Sequence, residues 1–131
     1  LVSYLARSCM ERHCVDVYTH AVRNLIDIED VVRIVGFLVN HRLGLGSAQT
    51  LASGCNVRVP DLVNEVRELL SVPCEFNLVP KGDDQTVSID FLREHLDADD
   101  PVLRDDYWVQ VLRKNVPLLK ERILGEKKDP C

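Results

Sequence analysis

The sequence has no long apolar run and no surplus of basic residues. Its longest apolar stretch, residues 31–39, is interrupted by Arg33 and Gly36, well short of the ~18 consecutive apolar residues of a membrane span. The 131 residues include 16 Lys and Arg against 21 Asp and Glu, a formal net charge of −5. Nucleic-acid-binding domains usually carry a basic surplus that neutralises phosphates. We therefore expect no membrane partner, and duplex DNA is an unfavourable one.

The cysteines lack any pairing pattern, and the residues before them do not have the pattern expected of a signal peptide. They are odd in number and irregularly spaced: Cys9, Cys14, Cys55, Cys74 and Cys131. This usage is typical of a reducing compartment and predicts no disulfide framework and an intracellular location, nuclear or cytoplasmic. Because the chain begins at Leu1 and a helical pattern follows at once, we expect a fragment of a longer protein.

Tight metal knuckles and phosphate loops are also missing. A zinc site could be imagined from Cys9, His13, Cys14 and His20, but structural zinc usually needs pairs spaced as CxxC. The pair Gly44 and Gly46 lacks the third glycine and the lysine of a phosphate loop. We predict neither a metal nor a cofactor.

Two further motifs are too incomplete to predict chemistry. The acidic loop 97–100 lacks the glycine and the distal glutamate of an EF-hand. Arg7 and His13 resemble the Arg–His pair of HEPN ribonucleases, but the rest of the chain does not have the pattern of that helical bundle. No catalytic site is predicted.

What is present is a sequence typical of one globular domain, with 46% hydrophobic and 28% charged residues. Apolar spacing predicts a helix within residues 1–24, a second over 28–41 with Asp27 as N-cap, and a short third over 48–53. The second helix has a wide apolar stripe and should be central to the core. A fourth helix is predicted from Pro60, with the apolar face Leu62, Val63, Val66, Leu69 and Leu70.

After Pro73 the apolar period changes from helical to two. Residues 76–78 and 87–91 alternate in polarity around a turn-rich segment at 80–84, which predicts a β-hairpin. After a break at 97–101, a helix is predicted from Asp105 or Asp106, kinked or restarted at Pro117, within residues 92–124. The tail 125–131 is predicted to be frayed.

The segment 51–62 has the spacing of a helix-turn-helix unit. The residues that fit are Leu51, Ala52, Cys55, Asn56 in the turn, Val57 and Leu62, whereas Glu65 departs from the pattern. With the preceding helix and the following hairpin, residues 27–91 resemble a winged helix. The resemblance implies an α+β, mostly helical domain with a β-hairpin wing and extra terminal helices.

A winged helix that binds DNA places its second helix in the major groove, with basic and amide side chains on the exposed face. Here three of the six exposed candidates on that helix are acidic: Arg58, Asp61, Asn64, Glu65, Arg67 and Glu68. The resemblance therefore implies a protein-docking module.

The charges are also segregated along the chain. Residues 83–106 contain nine acids and two arginines, whereas residues 113–128 contain six bases and two glutamates.

We therefore predict a non-enzymatic protein–protein interaction or scaffolding domain of a larger protein or complex. The partner would be another protein or a second copy of the chain. The alternative is nucleic-acid binding, with RNA less favoured than protein, through the basic C-terminal segment or the wing. The candidate contact residues are Arg58, Asp61, Glu65, Glu68, Tyr107, Trp108, Arg113, Lys114, Lys120 and Arg122.

Overall fold

The computed structural model describes residues 1–126 and has the predicted α+β class. Its helices are α1 (Val2–Met10), α2 (Ile28–Asn40), α3 (Val59–Leu70), α4 (Asp90–His95) and α5 (Tyr107–Glu126), with a 3-10 turn at Pro101–Leu103. Its strands are β1 (Val15–Tyr18), β2 (Val22–Asn24), β3 (Asn56–Arg58) and β4 (Phe76–Val79). β1 pairs with β4 in parallel, and β2 pairs with β3 antiparallel.

The buried apolar residues form two clusters. The larger cluster joins α1, β1, α3 and most of α5 around Leu62, Val66 and Val116. The smaller cluster joins α2, α4 and the 3-10 turn around Ile34 and Leu92. α5 contributes to both clusters, because Tyr107 and Val111 pack in the smaller one and most of its other apolar residues pack in the larger one.

Three predicted helices are confirmed with small changes in their ends. Asp27 caps α2 by accepting the backbone N–H of Glu29 at 2.9 Å, and Pro60 lies in the first turn of α3. α5 begins directly after Asp106 and continues through Pro117 as one helix. Buried residues on both sides of Pro117 hold the helix against the larger cluster. The predicted frayed tail is wrong for residues 125–126, which are helical, and 127–131 lie outside the described residues.

The N-terminal helix is shorter than predicted. α1 ends at Met10, and Arg12 then adopts a left-handed conformation with φ of 57°. Val15 and Val17 are buried while the residues between and after them are exposed, so this segment has the alternation of a strand rather than of a helix. It pairs with β4, about 60 residues away, which local helical spacing cannot reveal.

The predicted helix over 48–53 is wrong. The amide of Asn24 binds this segment instead: it donates to the carbonyls of Ser53 and Cys55, and its oxygen accepts the N–H of Ser53 at 2.8 Å. Because this side chain satisfies the backbone groups, the segment is stable without a helical turn. Asn56 lies in β3 and not in a left-handed turn.

The predicted hairpin is also wrong. β4 pairs with β1, and residues 87–91 form no strand. Val87 is held by hydrogen bonds to the side chain of Asn56, and α4 begins at Asp90. The structure therefore lacks both the wing and the first helix of the helix-turn-helix unit within the described residues, and the winged-helix core is not confirmed.

Cys9 and Cys74 form a disulfide, which corrects the expectation that the cysteines stay reduced. Their Cα atoms lie 5.0 Å apart, and the bond joins α1 to the segment that leads into β4. It also removes Cys9 from the imagined zinc set. Cys14 is exposed and Cys55 half-buried, and both are free thiols.

Candidate interaction surface

One face of α2 is apolar and exposed. Four β-branched residues form a stripe along it, at 42% to 72% exposure: Ile28, Val32, Val35 and Val39. Their spacings of four, three and four residues place them on one side of a helix over roughly 16 Å of its length. We call this set the α2 stripe. Contiguous apolar surface on a monomer commonly marks an interaction site.

The neighbouring face of α2 fixes the helix to the domain. Ile34 and Leu38 are buried in the smaller cluster. Arg33 binds Asp100 at 2.8 Å and Asp30 at 3.0 Å, so an ion pair joins α2 to the 3-10 turn. Burial alone would raise the pKa of Asp100, but the hydrogen bonds from Arg33 and from the Val102 backbone outweigh it and hold the pKa below its ordinary value.

A polar network fixes the beginning of α2 to α5. The Tyr107 hydroxyl accepts the backbone N–H of Asp27 at 3.0 Å and donates to the Asp30 carboxylate at 2.7 Å. The buried Asp27 carboxylate also accepts from Lys114 at 3.1 Å and from Asn115 at 2.9 Å. The α2 stripe therefore stands on a helix whose start is rigidly placed.

The ionisation of this network follows from its contacts. Burial by itself would raise the pKa of Asp27, but hydrogen bonds from Asn115, the Glu29 backbone and Lys114 outweigh burial and lower it. Burial, followed by the hydrogen bond to Asp30, raises the pKa of Tyr107 far above its ordinary value. At neutral pH the network thus holds a charged Asp27 and a neutral Tyr107.

The α2 stripe continues at its N-terminal end into an apolar cleft. Ile28 forms part of the wall of a cavity of about 310 Å³, together with Val2 of α1 and Leu119 of α5. Asp27 and Asn115 supply polar groups in the same wall. The exposed apolar surface therefore extends from α2 onto the α1–α5 side of the domain.

The two ends of α2 carry opposite charges. Glu29 and Asp30 lie in the first turn, and the Glu29 side chain is 77% exposed although Lys114 lies 2.8 Å away. His41 and Arg42 follow the last turn, and both are exposed. Within residues 1–126, Arg42 has no carboxylate within salt-bridge distance.

The predicted contact residues on α3 form a separate, mostly polar surface. Arg58, Asp61 and Glu68 are exposed, as predicted for the helix face. Glu65 is half-buried and forms an ion pair with Arg113 at 3.6 Å, while its neighbour Val66 is fully buried. Glu65 therefore contacts α5 within the domain and is less available to a partner than Asp61 or Glu68.

The predicted aromatic contacts on α5 belong largely to the interior. Tyr107 is buried in the network described above, and Trp108 is half-buried against the larger cluster. Neither forms an exposed anchor. Within the described residues, Tyr107 and Trp108 are therefore not part of the exposed candidate surface.

The four basic candidates on α5 all have partners within the domain. Lys114 binds Asp27 and Glu29, and Arg113 lies near Glu65. The remaining two bind the end of α3 and the end of α5: Lys120 donates to the Leu70 carbonyl at 2.8 Å, and Arg122 lies 3.3 Å from Glu126. The basic segment is thus partly neutralised within the domain, by groups that lie outside the acidic segment 83–106.

The sequence does contain the signal for the α2 stripe, but its interpretation was wrong. The wide apolar face of α2 predicts a central helix, whereas only the side with Ile34 and Leu38 is buried. A helix that is apolar over more than one face either lies in the middle of a core or has a second face to cover. Exposure of Val32 and Val39 shows that α2 is of the second kind.

Searches for known chemistry and known relatives give no match. Within residues 1–126 no three side chains that could hold a metal ion lie together, and no described helix is both long and apolar enough to cross a membrane. No protein-family model, curated protein or solved structure matches the chain.

Proposed function

We propose that this chain is a non-enzymatic protein–protein interaction domain and that the α2 stripe is its docking surface. The observation that carries the proposal is the exposure of four aligned Ile and Val side chains on a helix that is firmly anchored on another face. Covering such a stripe with a partner helix would release ordered water and stabilise the complex, at roughly 25 cal/mol for each Å² of apolar surface buried.

The surrounding polar groups support recognition rather than catalysis. The buried carboxylate of Asp27 is fully engaged in capping and ion pairing, so it is not poised to exchange a proton with a substrate. The charged ends of α2 would set the orientation of a partner. This proposal needs no winged-helix core.

The proposal is tested by placing a charge in the α2 stripe. We expect Val32→Asp to abolish retention of proteins that the wild-type chain captures and that bind it again as purified components, because a carboxylate in an apolar interface has no partner there. Affinity should fall at least about 100-fold. Calorimetry with the purified partner gives the affinity.

Leu78→Asp is the matched control. Leu78 is 65% exposed, against 66% for Val32, and forms part of the wall of a different groove of about 370 Å³ between β4 and α3. We expect this variant to keep its partners. If Leu78→Asp loses binding and Val32→Asp keeps it, the docking surface is the β4 groove and the proposal is wrong.

Nucleic-acid binding through the basic C-terminal segment has less support. Four of its cations lie near internal carboxylates or carbonyls, and a phosphate would have to compete with them. Fluorescence anisotropy with labelled RNA and duplex DNA measures this directly. Binding that falls steeply with salt and disappears in a Lys120→Glu, Arg122→Glu variant would favour the nucleic-acid alternative.

The Cys9–Cys74 disulfide bears on the compartment in which docking would take place. An intracellular location was the expectation, but the Cys9–Cys74 bond is of the kind that persists in oxidising environments. The bond therefore favours a partner that the chain meets outside a reducing compartment.

A further inference from the structure

We infer that the partner covering the α2 stripe is a second copy of this chain, with the two α2 helices packed antiparallel about a two-fold axis. This inference rests on the proposed function, and it names the occupant of the docking surface. Three features of α2 carry it: the spacing of the apolar residues, the charges at the helix ends and the glycine beside the stripe.

The spacing of the α2 stripe is self-complementary. Steps of four, three and four residues are the apolar repeat by which two helices pack side chains into each other's gaps. In an antiparallel pair centred on the stripe, Ile28 lies opposite Val39 of the second copy, and Val32 lies opposite its Val35. Every stripe residue then meets another stripe residue, as a two-fold interface requires.

The charges of α2 favour the antiparallel direction. The acidic first turn of one helix would lie near the basic end of the other, within about one helical turn along the axis. Glu29 is 77% exposed and can accept a second cation beside Lys114. Arg42 is exposed and meets no carboxylate in the described part of its own chain. A parallel pair would instead place like charges together at both ends.

Gly36 lies beside the α2 stripe, and no contact within residues 1–126 requires a glycine there. A Cβ built at this position would meet nothing within 4 Å, and its φ is not in the left-handed region. Glycine inside a helix destabilises it by about 1 kcal/mol relative to alanine. A second helix could pack closely at Gly36, in the space that a side chain would otherwise occupy, because small residues allow two helix backbones to come near each other.

The area available fits a reversible dimer. A stable interface buries about 800 Å² on each partner, which exceeds what four side chains offer. The cleft beside Ile28, lined by Val2 and Leu119, supplies further apolar surface at each end of the symmetric pair. We therefore expect dissociation within an accessible concentration range.

The inference is tested by sedimentation velocity on the oxidised chain from about 1 μM to about 1 mM, the range in which an interface below standard area dissociates. We expect a concentration-dependent shift from monomer to dimer. Val32→Asp should weaken dimerisation at least about 100-fold, whereas Leu78→Asp should leave it unchanged. Both residues are exposed, so circular dichroism should show that both variants fold.

Charge reversal tests the direction of packing. Glu29→Arg and Arg42→Glu should each weaken the dimer about tenfold, because each breaks two symmetric ion pairs. The double variant should recover most of the affinity, since every pair is restored with its signs exchanged. An antiparallel dimer alone gives this rescue, and a double variant as weak as the two single ones would overturn the inference.

The outcomes separate this inference from the proposed function. A wild-type chain that stays monomeric at the highest concentration overturns self-pairing. If Val32→Asp then still abolishes capture of a different protein, docking at the α2 stripe stands and the occupant is that protein. If Val32→Asp affects neither measurement, both proposals fail.

Discussion

At the scale of single residues, backbone approaches decide where the chain tolerates a side chain. Gly54 lies against the 3-10 turn, where its N–H donates to the Val102 carbonyl at 2.8 Å. A Cβ on Gly54 would come within 2.5 Å of the Leu103 carbonyl oxygen, and the neighbouring atoms are all backbone. Because these are backbone atoms and not the end of a flexible side chain, they cannot move aside, and the packing at this position requires glycine.

Gly54→Ala should therefore lower the free energy of unfolding by about 2 kcal/mol, the usual cost of forcing an extra carbon into a packed site. Gly36→Ala is the matched control, since the added carbon meets nothing there. It should raise the stability of the monomer by about 0.5–1 kcal/mol. Urea denaturation of both variants checks the pair, and equal effects would contradict this account of Gly54.

Residue-scale contacts of this kind could not be predicted from the sequence. The sequence shows turn signals around Gly54 and Asn56, but Asn24 lies 32 residues from Asn56 and Leu103 lies 49 residues from Gly54. The burial of Tyr107 depends likewise on the hydroxyl acceptor at Asp30. Local pattern gives the residue types of a turn, whereas long-range partners decide its conformation.

At the scale of elements, the helices with a good cap and a regular face were predicted correctly. Asp27 marks the start of α2 and Pro60 that of α3, and both signals are local. The strands of three or four residues were not all predictable. β4 was recognised by its alternation, but its parallel partner β1 was hidden within an apparent helix.

The Asp27 cap makes the stability of α2 depend on pH. The pKa of Asp27 is lower in the folded chain than its ordinary value of 3.8, so its contribution is present above that value and is lost as the pH falls through the folded pKa. Asp27→Asn should cost about 2 kcal/mol at pH 7. The difference from wild type should shrink below about pH 4, as the wild-type carboxyl becomes protonated.

Thermal unfolding of both proteins between about pH 3 and pH 7 measures this difference. Glu29→Gln is the control within the same network, because Glu29 is exposed and its ion pair with Lys114 is solvated. It should change stability by less than about 0.5 kcal/mol. A constant gap between wild type and Asp27→Asn across the pH range would contradict the role given to the charged carboxylate.

At the scale of the whole molecule, the Cys9–Cys74 bond closes a loop of 65 residues that contains β1, β2, α2, β3 and α3. Closing a loop of this length removes considerable conformational entropy from the unfolded chain. The bond also brings together the same regions as the β1–β4 pair. It is therefore a structural clamp on the larger cluster.

Reduction of the disulfide should lower the free energy of unfolding by about 4 kcal/mol, on the chain-entropy account for a loop of this size. Denaturation with and without a reductant measures the loss. The oxidised Cys14→Ser variant should unfold like wild type, because Cys14 is an exposed free thiol. Identical transitions with and without reductant would show that the clamp does not stabilise the chain.

The division into two apolar clusters has a consequence for the cooperativity of the domain. The smaller cluster carries α2 and α4 and is joined to the larger one by Tyr107 and by polar contacts, among them those of Asn115 with Asp27 and of Asn56 with Val87. Such a unit can open by local unfolding while the larger cluster stays intact. A partner on α2 would stabilise this smaller unit against such opening. Binding of a partner to α2 would then slow the exchange of its backbone amide hydrogens with solvent, with little change in the exchange rates of α3.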